Sequence, residues 1–228
     1  IAKKRHRNLQ KVFKENNVKF DKYYALIMFD GDKIGEKLSK ATSPKQHEYF
    51  SKSLALFASK AREILQDKGQ TVYTGGDDFL GFVNLHYLFE VMNDLRNQFK
   101  TLVSDEAQKI LKIDEEFTFS AGIVIAHYKT PLAEVLKTVR KVEKKAKNDG
   151  GRNAFCITAM KHSGEIQEAV LKWGDENKNW TALQYITKQL SDSIFSNKFI
   201  TNLTTELYQL AGVELNDVGL STNAVSTE

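Results

Sequence analysis

The sequence predicts an α+β fold: a mostly antiparallel, ferredoxin-like sheet with helices packed mainly on one face, followed by a small all-helical region. Three observations predict it. Apolar residues recur at helical spacing in segments that alternate with short β-prone runs, in the order strand, helix, strand, strand, helix, strand, helix, strand. Two of the strands are joined by Gly75-Gly76, a tight-turn signal, and so read as one hairpin. Beyond Lys161 the β-prone runs stop and helical patterns take over, over 166–173, 181–194 and 199–210.

Residues 1–18 read as an amphipathic helix with Leu9, Val12 and Phe13 on one side and a basic remainder. Tyr24-Ala25-Leu26-Ile27-Met28-Phe29 is an almost unbroken apolar run, as expected of a central strand buried on both faces. Ser43-Pro44-Lys45-Gln46 is a helix start, with serine as cap, proline in the first turn and glutamine reaching back. That helix is expected to reach about Asp67, with Gly69 ending it. Val72-Tyr73 and Phe79 to Val83 are the hairpin strands. Leu88, Phe89, Met92, Leu95, Phe99 and Leu102 give a second helix. A polar stretch, part helix and part loop, leads to a strand over 117–126, in which Gly122 permits a bulge or a close backbone passage. Thr130-Pro131 is expected to cap a third helix, apolar through Leu132, Val135, Leu136, Val139, Val142 and Ala146 and basic on its other side. Residues 154–158 close the sheet. Ser163-Gly164 and 174–177 read as joints, Trp173, Trp180, Tyr185 and Phe195 as aromatic anchors, and 212–228 as a polar tail. The expected divisions are a basic helix over 1–19, the sheet domain over 20–160, an incomplete helical domain over 161–211 and the tail.

Carboxylates stand where such a sheet would converge. Asp30-Gly31-Asp32 ends the apolar strand, and Asp77-Asp78 follows the Gly75-Gly76 turn. Crowded carboxylates repel unless a cation or proton relieves them, and apolar flanks raise that cost. A hard divalent cation needs more oxygens than one hairpin supplies, which favours a shared site built from both motifs.

Composition sets looser bounds. The 228 residues are 41% hydrophobic and 27% charged with net charge +4, enough for one good core and a smaller satellite. The single cysteine, Cys156, lies in an apolar run, which rules out a disulfide framework or a cysteine metal cluster and favours a reducing compartment. No apolar stretch is long enough to span a bilayer and no signal peptide is evident, so the expected location is cytoplasmic. The first residue is not methionine, and the chain is expected to begin inside a longer protein. His47, His86, His127 and His162 are scattered and read as surface or strand-end residues.

Asp30-Gly31-Asp32-Lys33-Ile34-Gly35, Gly75-Gly76-Asp77-Asp78 and Lys147-Asn148-Asp149-Gly150-Gly151-Arg152-Asn153 resemble, in order, motifs of the palm shared by diguanylate-cyclase-like enzymes and the large subunit of type III CRISPR effector complexes. The similarity is to the second palm of the Cmr (type III-B) branch, and Ser120 to Lys129 also looks like that branch. The resemblance implies a nucleotide cyclase/polymerase palm that joins ATP 3′ to 5′ into cyclic oligoadenylates. It also implies action within a ribonucleoprotein, with other subunits, a guide RNA and a target RNA as partners. In such a site magnesium or manganese activates a ribose 3′-hydroxyl and neutralises the leaving pyrophosphate. Asp30 and Asp77 are the expected primary ligands, with the Gly31 carbonyl as a further candidate oxygen. Asp78 is either a second ligand or the group that orients the attacking hydroxyl; Asp32 is either a ligand or a cap on the Gly31 turn. Gly75 and Gly76 leave room for nucleotide, and Lys147 and Arg152 are the cations expected at the triphosphate. The lysine that often follows the first acidic pair in the cyclases has no clean counterpart, because Ile34-Gly35 occupy its place and Lys37 comes later. If a composite site between paired palms is required, the chain alone is expected to be inactive. Two other readings stay open: a non-catalytic palm that binds nucleotide or partner subunits, and a stand-alone cyclic dinucleotide synthase.

Overall fold

The computed structural model describes residues 22–161, 166–173, 179–192, 194 and 198. The expectations for 1–19, the joints at 163–164 and 174–177, Phe195, His162, the helix at 199–210 and the tail lie outside the described residues. Six strands form one sheet in the order β2-β3-β1-β4-β5-β6. They are β1 (Tyr23–Gly31), β2 (Gly69–Gly75), β3 (Asp78–Val83), β4 (Phe119–His127), β5 (Ala154–Met160) and β6 (Ile166–Lys172). The helices are α1 (Ile34–Leu38), α2 (Pro44–Leu65), α3 (Leu88–Phe99), α4 (Glu106–Leu111), α5 (Leu132–Asn148) and α6 (Asn179–Ser191). All neighbouring strands run antiparallel except β4 and β5. Among the described residues no helix is long and apolar enough to cross a membrane.

The apolar run of β1 is buried on both faces, as its composition requires. Ala25, Ile27 and Phe29 join the core under α2, α3 and α4, whereas Leu26 packs with Val135, Val139, Val142 and Ala146 of α5. The helices are therefore gathered mainly on one face, as expected, and α5 alone among the described helices covers the opposite one. A strand buried on both sides carries no alternation, so its sequence does not say which helix lies on which side. Gly122 is what admits α5. A Cβ there would lie 2.7 Å from the Val139 carbonyl oxygen and 2.6 Å from the Glu143 nitrogen, and the β1–β4 register runs past it without a bulge.

Local signals set several ends and miss others. Ser43 Oγ accepts from the Gln46 amide at 3.4 Å, while Gln46 Oε1 accepts from the Thr42 amide at 2.7 Å, a capping box shifted by one residue. The Thr130 cap is not formed. Pro131 is itself the N-cap, in extended conformation and with no side-chain hydrogen bond, because its ring fixes φ while its ψ of 127° stays outside the helix. Gly69 does not end α2; Asp67 makes the left-handed turn (φ 63°), and Gly69 opens β2. The largest correction is β6. Its Gln, Glu, Ala, Leu and Lys favour a helix, but β5 offers a free edge, and seven residues pair along it from Met160↔Ile166 to Ala154↔Lys172. Trp173 then turns into the core against Phe155, at a centroid distance of 4.4 Å, and the Trp180 Nε1 of α6 donates to Asn93 Oδ1 at 2.8 Å.

Beneath the convergence of the acidic motifs lies an aromatic stack. Phe29 sits between Phe79, at 4.9 Å, and Phe119, at 4.3 Å. Each ring adjoins a polar residue of the site region, Asp30, Asp78 and Ser120 respectively. Such pairs add about 0.5–1.5 kcal/mol beyond area burial and fix the three strand ends relative to one another.

Candidate active site

The Gly75↔Asp78 pair closes the β2–β3 hairpin with Gly76-Asp77 as the two-residue turn. Gly76 has φ 77° and Asp77 does not share that left-handed conformation, the geometry of a II′ turn, in which the first central position favours glycine. At Gly75 a Cβ would lie 1.9 Å from the phenol oxygen of the exposed Tyr73, whose ring lies over it and would have to swing aside. On the neighbouring strand, a Cβ on Gly31 would approach both Cβ and Oδ2 of Asp77 to 2.9 Å. The missing side chain at Gly31 is what lets the hairpin tip close over the end of β1.

The result is a trio. One carboxylate oxygen from each of Asp30, Asp77 and Asp78 lies within 4.8 Å of the others. Lys147, from the last turn of α5, ion-pairs with Asp30 and at 2.8 Å with Glu143, a buried acid one helical turn earlier. Burial pushes the Asp30 carboxyl up, but its hydrogen bond with Asp78 and the bond and charge of Lys147 outweigh that and hold it low. Asp78 is pushed up to about 7, first by its hydrogen bond to Asp30, then by burial and by the charges of Asp30 and Asp77. Burial also raises Asp77, with Asp30 adding to it and a backbone hydrogen bond and Lys147 opposing it. Burial would lower Lys147, yet its bonds to Asp30 and Glu143 keep it above its ordinary value.

These shifts say what the donor set lacks. Three carboxyls converge, one retains a proton and a lysine stands against another, so the cluster is short of positive charge and rich in hard oxygen donors. That fits a divalent cation such as magnesium or manganese, with Asp30, Asp77 and Asp78 as the residues that would hold it. A pH effect follows for metal-free protein. Folded Asp78 keeps its proton up to about pH 7, whereas an unfolded carboxyl loses it near the ordinary value of 3.8. Between those values the folded state binds more protons, so stability falls as pH rises through the window. Asp78→Asn is expected to melt above the wild type at about pH 8 and together with it near pH 4; an equal gap at both would refute the assignment.

Asp32 is not brought into the trio. Its carboxylate accepts from Thr118 Oγ1 at 2.8 Å, Ser120 Oγ at 2.7 Å and the Asn153 amide at 2.9 Å, tying β1 to β4 and to the loop after α5. That loop bears Arg152, exposed and without an ion pair among the described residues. Gly151, Arg152 and Asn153 all have positive φ, and Lys172 Nζ donates to the Gly151 and Arg152 carbonyls at 2.9 and 2.7 Å. Sequence reading missed Glu143, although an acid four residues before Lys147 on an otherwise apolar stripe was a usable signal. It also missed Lys172, whose partners nothing nearby in sequence announces.

A cleft of about 400 Å³ opens beside the trio, between β1, β3 and α5. Asp30, Asp78, Glu143 and Arg140 make its polar wall, and Met28, Leu80 and Leu136 its apolar wall. A larger cavity of about 650 Å³, beside Arg96, Lys100 and Trp173, lies on the other face and holds no carboxylate cluster, so size does not assign the site.

The family model described as the second palm domain of Cas10/Cmr2 matches residues 23–156, more than half of the chain and all of β1 to β4 with α5. The chain belongs to the Cas10/Cmr2 family. It is 30% identical over 179 residues to the CRISPR system Cmr subunit Cmr2 of Pyrococcus furiosus, a match covering 67% of this chain and 20% of that protein. The chain thus spans about a fifth of the length of this curated relative. Among solved structures, it is similar to a Csm1–Csm4 cassette in complex with one ATP, at 24% identity and a TM-score of 0.40 over 60% of this chain and 20% of that one. It is similar to a type III-B Cmr-beta structure in the apo state, at 16% identity and a TM-score of 0.47 over 74% and 27%. The GGEEF domain of a diguanylate cyclase from Vibrio cholerae matches at 15% identity and a TM-score of 0.42, over 61% and 83%. The Cas10/Cmr2-like palm expected from the motifs is borne out.

Proposed function

We propose that this Cas10/Cmr2 palm is a metal-dependent nucleotidyltransferase that joins ATP 3′ to 5′ and closes the product into cyclic oligoadenylate, within a cytoplasmic type III CRISPR complex. The other subunits, the guide RNA and the target RNA are its partners in this reading. The observation that carries it is the meeting of Asp30, Asp77 and Asp78 at one point with Lys147 against them. Magnesium or manganese held by those carboxylates supplies the means to acidify a 3′-hydroxyl and neutralise departing pyrophosphate. The chain's own residues do the rest. Asp30 is fixed by β1, the tip of the hairpin presents Asp77, and Asp78 orients the attacking hydroxyl or adds a ligand. Gly75 and Gly76 add no side chain of their own at the hairpin tip, so nucleotide reaches the main chain at Gly76 directly and at Gly75 once the exposed Tyr73 ring swings aside, and the Gly31 carbonyl stays a candidate oxygen. Lys147 leaves Asp30 for the triphosphate while Glu143 keeps it in place, and Arg152 is presented by the loop that Asp32 and Lys172 hold. Each addition forms an O3′–Pα bond and breaks the Pα–O bond to pyrophosphate.

The test is to supply the assembled complex with labelled ATP and magnesium or manganese, with and without target RNA, and to identify products by mass spectrometry. Cyclic oligoadenylate that depends on target RNA is expected. A complex that binds target RNA yet makes no nucleotide product would leave the palm as a scaffold, and a cyclic dinucleotide made without RNA would favour the stand-alone synthase.

A further inference from the structure

Helix α5 carries two sets of cations. Lys145 pairs with Glu168, and Lys147 with Asp30 and Glu143. Lys137, Arg140, Lys141 and Lys144 have no acidic partner among the described residues, and all four are exposed. With Ala133 and Leu136 they line a shallow groove along the helix. Leu136 and Arg140 also line the cleft beside Asp30 and Asp78, so the groove and the cleft share a wall. Lys137, Lys141 and Lys144 rise along one face, and at ~1.5 Å per residue the row is about 10 Å long. Like charges at this spacing weaken a helix, and an anionic chain laid over them removes that cost.

We propose that this face of α5 is the track for the strand that grows out of the acidic site. The phosphodiesters of a linear oligonucleotide pass Arg140 and lie along Lys137, Lys141 and Lys144 while the 3′ end stays at the carboxylates. The inference rests on the nucleotidyltransferase reading and adds to it a place for the intermediate. The groove has no aromatic side chain, so it grips backbone charge rather than bases, which makes the hold insensitive to sequence and sensitive to salt. A protein partner is less well matched, because one alanine and one half-buried leucine among four cations do not make the apolar centre that protein interfaces have.

The test uses the complex carrying Lys137→Gln, Lys141→Gln and Lys144→Gln together, all at exposed positions whose loss removes charge rather than packing. Binding of fluorescent linear tetra-adenylate is measured in EDTA, so that no turnover is needed, beside binding of a longer single-stranded RNA. Tetra-adenylate affinity at low salt is expected to fall at least ~10-fold, and its log–log salt slope to shrink by about 2, three contacts at ~0.7 each. During turnover the products should shift toward shorter chains. Unchanged tetra-adenylate affinity overturns the track. A loss confined to the longer RNA also overturns it and assigns the face to the RNA-bearing assembly. A complex that makes no product would defeat the nucleotidyltransferase reading, while the binding measurement still judges the groove.

Discussion

Replacing Asp77 and Asp78 together by alanine is expected to lower product formation by at least ~10³-fold, since metal anchoring is worth several kcal/mol and each ~1.4 kcal/mol is tenfold. The fold should not suffer. Asp78 is held above its ordinary range by its hydrogen bond to Asp30, by burial and by the charges of Asp30 and Asp77, and Asp77 by burial and the charge of Asp30, so removing both relieves the hairpin tip, and no apolar packing goes with them. The metal-free variant should melt at or above the wild-type temperature, and the complex should still assemble and bind guide and target RNA. Melting temperature, RNA affinity and product yield measured on one preparation separate the readings. Normal yield would remove this hairpin from the chemistry, and loss of assembly together with yield would make it a structural element.

Gly122→Ala is the second substitution with a large expected effect, and it acts through the fold. The added carbon would meet the main chain of α5, with the Glu143 nitrogen at 2.6 Å, the Val139 oxygen at 2.7 Å and the Glu143 Cα at 3.0 Å. Backbone atoms cannot rotate away as a side chain can. The helix must lift from β4, which we expect to cost about 1–3 kcal/mol in urea unfolding and to weaken activity by moving Lys147. Gly35→Ala is the control, because a Cβ there meets nothing within 4 Å inside α1; it should be neutral or gain up to ~1 kcal/mol. Equal midpoints for the two variants would show that the α5–β4 contact is not close-packed.

What could be read from the sequence was what is encoded locally. The apolar run of β1, the hairpin at the glycine pair, the Ser43 cap and the stripe of α5 each need only a few neighbouring residues, and each is present in the structure, although the turn itself falls one residue later than the pair, on Gly76-Asp77. The meeting of Asp30 with Asp77 and Asp78 was legible because idle charge is intolerable at the end of so apolar a strand. Asp32 was not. Its partners Thr118, Ser120 and Asn153 are 86, 88 and 121 residues away, and nothing beside it distinguishes a staple from a ligand. Strand β6 failed for a different reason: its residues prefer a helix, and only the free edge of β5 overrides them. The side of the sheet that α5 covers depends on Gly122, whose missing side chain fits a bulge or a close passage equally well.

The strand order gives the two halves of the acidic site different stiffness. Asp30 stands at the end of β1, which is hydrogen-bonded along both edges and buried through its middle. Asp77 and Asp78 hang from a hairpin whose outer member, β2, is the terminal strand, largely exposed and irregular between Thr71 and Tyr73. Peripheral pairing of that kind opens at lower free energy than a central strand. Compliance is therefore confined to the outer side of the hairpin: β2 can loosen at lower cost than β1, while the stacking of Phe79 on Phe29 ties β3, and Asp78 with it, to the sheet's centre.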